Sequence, residues 1–167
     1  MMIIPLSAVA GGSRELLINP GFEAGENGWS NREKIPVSAI VEEAAHSGRF
    51  GLSVRDEALE DGARFFGEKL AVIPNQVLTL TFWAKAVSGD DLVAVSLTPA
   101  DAEGRPLPGE RGGASEVSHV DTKSADWESY TITYTVPENA GTVTLSIRSW
   151  TKATGVVFLD DFSLLTE

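Results

Sequence analysis

The chain has 167 residues, enough for one domain with a sizeable buried core, and a formal charge of −11. Nucleic acid and anionic membranes are bound through basic patches, and the 13 Lys and Arg residues are scattered without a run, so neither is an expected partner. Cysteine is absent, so there is no disulfide framework or thiolate zinc site, and no apolar stretch approaches the roughly 18–20 residues of a membrane span.

Residues 1–12 carry apolar side chains interrupted by Pro5 and by Gly11-Gly12, with no basic leader. They read as an arm that is mobile or packs on another chain, not as a strand or export signal. A single domain then spans 13–167. Leu16-Leu17-Ile18 enters a sheet as a short strand and breaks at Asn19-Pro20-Gly21; Phe22-Glu23, a turn from Gly25 to Gly28, and Trp29 follow. Turn carbonyls without N–H partners, beside the Glu23 carboxylate, make an oxygen-rich corner suited to a hard cation such as calcium. Ile35 to Val41 reads as a strand starting at Pro36, and Ala45 to Gly48 as a turn. The next strand, Phe50 to Arg55, turns Phe50, Leu52 and Val54 inward.

After an acidic loop from Asp56 to Gly62, Arg64 to Val72 forms a strand ended by Pro74-Asn75. Gln76 to Val87 alternates most clearly. Leu78, Leu80, Phe82 and Ala84 form its inner set; Thr79, Thr81, Trp83 and Lys85 form its outer set. Leu92 to Thr98 continues with Val93, Val95 and Leu97 inward, before the Gly-, Pro- and charge-rich loop Pro99 to Glu116. Glu128 to Val136 and Thr142 to Trp150 alternate Thr and Ser with apolar residues. No helical period persists, and the whole reads as an all-β sandwich. In Val156 to Leu164 a period of two puts Phe158, Asp160, Phe162 and Leu164 on one side, which sets the Asp160 carboxylate on an apolar face. That is costly unless the group is paired or metal-bound, so Glu23 and Asp160 are expected to meet around a cation. Plain hydrogen-bonded carboxylates are the alternative. A general acid/base pair would need an open cleft between them.

INPGFE followed by GW, then AHSGRFGLSV, LTLTFWAKA and VVFLDDFSLL, in this order, resembles the jelly-roll carbohydrate-binding modules of the type of families 4, 9 and 22. The resemblance spans roughly Glu15 to Leu165. It implies a galactose-binding-domain-like sandwich of two antiparallel sheets, a structural calcium between its first and last strands, and often a sugar cleft on one sheet.

Two functions from different classes follow. The first is a non-catalytic module that binds a poly- or oligosaccharide, with Trp83 as a stacking platform and Arg148, Trp150, Arg55 and Lys85 as further ligand contacts. For Trp83 the competing reading is coverage by the arm, a loop or a neighbouring subunit. The second is a virion protein, a capsid-decoration or tail-associated subunit, that contacts capsid or tail subunits or its own copies through the arm. A missing export signal suits the second, and would place the first outside the cell only within a larger assembly. No nucleophile elbow, phosphate-cradling loop or metalloprotease motif is present, so an enzyme is not expected.

Overall fold

Alternation of apolar and polar residues is the dominant pattern of this chain, and it becomes eleven strands in the computed structural model, which describes residues 12–57, 59–89, 93–107, 116–120, 125–150 and 152–167. They are β1 (Arg14–Glu15), β2 (Trp29–Asn31), β3 (Ser38–Val41), β4 (Gly51–Asp56), β5 (Arg64–Ala71) and β6 (Val77–Gly89). β7 (Val93–Ala100), β8 (Glu116–His119), β9 (Glu128–Thr135), β10 (Thr142–Ser149) and β11 (Gly155–Thr166) complete the set. One sheet runs β3-β4-β11-β6-β9 with β1 paired to β11; the other runs β2-β5-β10-β7-β8. All pairings are antiparallel. Among the described residues the only helical piece is a single 3-10 turn, Glu42–Ala44. This is the expected jelly-roll sandwich.

The core lies between the sheets. Leu78, Leu80, Phe82 and Ala84 of β6 face Val93, Val95 and Leu97 of β7 and Val143, Leu145 and Ile147 of β10, all buried. One end is closed by aromatic rings: Phe22 lies 4.8 Å from Trp29 and meets Phe162 edge-on at 5.8 Å, and Trp29 stacks on Phe65 at 5.7 Å.

Three local expectations are corrected. Leu16-Leu17-Ile18 is not a strand, because the Glu15 carboxylate takes the amides of Leu16, Leu17 and Leu164 and ends the pairing with β11. The strand expected from Ile35 starts only at Ser38, because Glu33 accepts the Val37 and Ser38 amides. The third correction matters most. Asp161 takes a left-handed φ of 48° and makes a bulge in β11, shifting its register against β6 between Asp160 and Ser163. Core residues therefore change from odd to even: Val157 and Leu159 before the bulge, Phe162 and Leu164 after it. Asp160 thus lies on the outer side with Phe158, not on the core side. Residues 1–11 of the arm and 108–115 of the expected long loop fall outside the described residues. The described start of that loop is a turn in which Asp101 accepts the Glu103 and Arg105 amides.

Candidate functional site

The bulge and the turn at 46–50 build an acidic corner on the outer side of β11. Asp160 is fully buried there although it faces away from the core, because the turn covers it. Its Oδ2 accepts the His46 and Ser47 amides at 2.7 and 3.1 Å, and its Oδ1 accepts the Asp161 amide at 2.7 Å. Burial raises its pKa above the usual 3.8, against the pull of these three N–H groups. Glu23, carried in by the Asn19–Phe22 turn, accepts the Phe50 and Arg49 amides at 2.9 and 2.8 Å. Those bonds lower its pKa, that from Phe50 first. Gly48 makes this possible: its φ is +63°, and a Cβ there would lie 2.4 Å from Glu23 Oε1. The two predicted carboxylates therefore clamp the same turn from its two ends.

Among the described residues no group of three or more His, Asp or Glu side chains is arranged as a metal site. The donor chemistry still fits a hard cation. Asp160 Oδ1 and Asp161 Oδ1 both come within 3.8 Å of the point where a Cβ on Gly21 would sit, and Glu23 Oε2 has no hydrogen bond among the described residues. The negative charge of Asp161 adds to the burial that raises Asp160 and works against the backbone bonds that lower Glu23, a like-charge conflict that a cation would relieve.

Trp83 lies beside this corner, opposite Asp160 in the β6–β11 ladder. It is half-buried on the outer face, as the alternation of β6 implies. His46 stacks on its indole at 4.2 Å, meets Trp127 edge-on at 5.0 Å, and places Nδ1 2.6 Å from Asp161 Oδ2. The covering group is thus a histidine of the turn at 46–50. Lys85 and Arg55 share this outer sheet face, and Arg55 lies 3.6 Å from Glu43.

Arg148 and Trp150 are on the opposite side of the sandwich, so the five residues expected at one cleft divide between two faces. Arg148 lies opposite Arg64 in the ladder of β5 and β10, and the Arg32 amide donates to the Arg64 carbonyl at 2.9 Å. Three arginines thus sit in one row on three adjacent chain segments. Phe66, half-buried next to them, has the Arg32 guanidinium 5.0 Å and the Arg148 guanidinium 5.3 Å from its ring centroid. Across β10 the row continues through the small Ala94 to His119. Trp150 stacks on the His119 ring at 5.5 Å and stays 41% exposed. Below the row, Ser146 and Ser96 share a hydroxyl hydrogen bond at 2.7 Å. Sequence reasoning missed Arg32, Phe66 and His119, because β2 is three residues long and Phe65-Phe66 breaks simple alternation.

An antiparallel jelly roll with an open sheet face set with aromatic and hydrogen-bonding side chains is the architecture of carbohydrate-binding β-sandwiches. The family model described as Carbohydrate binding domain, of the CBM 4/9 type, matches residues 14–154, and the chain belongs to that family. No curated protein matches it in sequence. Among solved structures it is similar to "Family 16 Carbohydrate Binding Module-2", with a TM-score of 0.70 at 18% identity over 89% of this chain and 98% of that one. It is also similar to TmCBM61 in complex with β-1,4-galactotriose, with a TM-score of 0.60 at 24% identity over 92% and 99%. A third likeness is to the enzymatically active domain of bacteriophage CBA120 tailspike protein 4, with a TM-score of 0.73 at 12% identity, covering 90% of this chain but 21% of that one. At these identities the likeness is one of fold.

Proposed function

We propose that this is a non-catalytic module that binds a glycan across the outer face of the sheet β2-β5-β10-β7-β8. The observation that carries the reading is the exposed Trp150, held flat against His119 at the end of the Arg32–Arg64–Arg148 row. An indole fixed on a rigid sheet stacks on the apolar face of a sugar ring, and guanidinium and hydroxyl groups beside it take up the ring oxygens. Membership of a carbohydrate-binding family, and a similar module seen with a galactotriose, support a saccharide ligand. The test is a binding screen of neutral and acidic oligosaccharides with the wild type and Trp150→Ala. Loss of the stacking platform weakens the bound glycan at least tenfold, about 1.4 kcal/mol, while the melting temperature holds because Trp150 lies outside the core. Unchanged affinity removes this face from consideration.

The acidic corner has a separate proposed role. Glu23 and Asp160, with backbone carbonyls of the adjoining turns, would hold a structural calcium that neutralises the carboxylates and ties the 46–50 turn to β11. A cation that binds only the folded chain stabilises it by about 2.7 kcal/mol at a hundred times its Kd. For a domain of this size that is roughly 5–10 °C in melting temperature. Chelation is therefore expected to lower the melting temperature by about that much and added calcium to restore it, with Asp160→Asn insensitive to both. A melting curve unmoved by verified metal removal would leave these groups as plain hydrogen-bonded carboxylates.

A further inference from the structure

The chain carries 24 acidic residues against 13 basic ones, yet the proposed binding face gathers its charge in the opposite sense. Arg32, Arg64 and Arg148 come from three separate stretches and are aligned by the register of β2, β5 and β10. Like charges directly opposite each other in a sheet are destabilising, so such a row is a burden on the free protein. Little at hand relieves it. Asp61 pairs with Arg64 at 3.2 Å, and Glu33 is engaged by the Val37, Ser38 and Arg64 amides and the Ser38 hydroxyl. Arg32 and Arg148 make no ion pair and no side-chain hydrogen bond among the described residues; their contact is the Phe66 ring, over which both guanidinium groups rest. A guanidinium packed on a ring keeps its charge and its N–H donors, and its planar fork suits a carboxylate or sulfate oxygen pair. Phe66 thus holds two uncompensated forks in place, and Trp150 with His119 supplies a stacking surface at the end of the same row.

We infer that this face selects anionic glycans, sugar chains bearing carboxylate or sulfate groups, with Arg32 and Arg148 taking the anionic substituents. This rests on the proposed glycan-binding function and adds to it the substrate class. A polymer with spaced charges meets the row without bringing dense charge against the acidic remainder of the surface.

The experiment is calorimetric titration of the full chain with a galacturonate hexamer, its fully methyl-esterified form, a neutral β-1,4-galactan oligomer, a sulfated galactan oligomer and a single-stranded DNA dodecamer. The free acid or the sulfated chain is expected to bind at least tenfold tighter than the ester and the neutral chain, and which of the two does so identifies the substituent. Arg32→Gln and Arg148→Gln, each checked for an unchanged melting temperature, should bring the anionic ligand down to the affinity of the uncharged ones. A second pair, Arg32→Lys and Arg148→Lys, keeps the charge but removes the fork and should restore only part of the preference. Equal binding of acid and ester, or glutamine variants that keep the preference, overturns the inference. If the neutral chain binds, is lost in Trp150→Ala and shows no rival among the anions, glycan binding stands and the charge selectivity falls. If no glycan binds to the folded protein, both fall, and tighter binding of the DNA strand would overturn the glycan assignment.

Discussion

Trp83 and Trp150 look alike in the sequence, each an indole on the outer side of an alternating strand, but their neighbours give them different work. Trp83 is stacked under His46 and sits next to Asp160, so it fastens the turn at 46–50 to the sheet. Truncating a half-buried aromatic in such a stack should cost about 2 kcal/mol, below the roughly 3–5 kcal/mol of a fully buried ring. Trp83→Ala is therefore expected to unfold at lower denaturant concentration with its glycan affinity intact. An unchanged midpoint with lost affinity would move the binding face to β6. Asp101 shows the same dependence on neighbours. The Arg105 amide, aided by the Arg105 side chain and the Glu103 amide, holds its carboxyl below the ordinary 3.8. A depressed carboxyl pKa stabilises above the unfolded value and loses that contribution as pH falls through the folded one. The Arg105 amide resonance should accordingly titrate with a midpoint below 3.8. A shift centred at or above 3.8 would mean that the turn gives the carboxylate no protection.

At the scale of elements, what the sequence reveals depends on whether period-two alternation survives. It survives through β6, whose inner and outer sets are those read from the sequence, and through β7, β9 and β10. It fails in β11, where one residue in the left-handed region reverses the phase, and the local pattern gives no sign of where the extra residue falls. Turn chemistry and the resemblance single out Glu23 and Asp160, and both hold the 46–50 turn, but the period of two that sets Asp160 on the core side does not hold. The arginine row was not legible, because it exists only in the cross-strand register of three segments distant in sequence. Gly48 lies between the legible and the hidden. Gly48→Ala would force a Cβ into the Glu23 carboxylate at a left-handed position. Thermal unfolding should show a loss of more than 1 kcal/mol, since strain and displacement of Glu23 add. A neutral substitution would show that the turn relaxes around the new methyl group.

For the molecule as a whole, the two proposed roles fall on opposite sheets of the sandwich. The acidic corner belongs to β11 and to the turn leading into β4, on the sheet β3-β4-β11-β6-β9; the arginine row and Trp150 belong to the other. Between them lies a closely packed core in which Phe82, Leu97, Leu145 and Leu159 are fully buried. A core of this kind transmits large rearrangements but deforms little under a local change of charge. A cation at the corner should thus raise the free energy of unfolding without altering the ligand face of the folded molecule. The expected result is that chelation lowers the melting temperature yet leaves glycan affinity within twofold at 25 °C, provided the protein remains folded by circular dichroism. Asp160→Asn should give the same affinity as wild type at that temperature. A tenfold loss of affinity on chelation, in protein that is still folded, would place the ligand against the corner itself and return Trp83, Lys85 and Arg55 to the binding face.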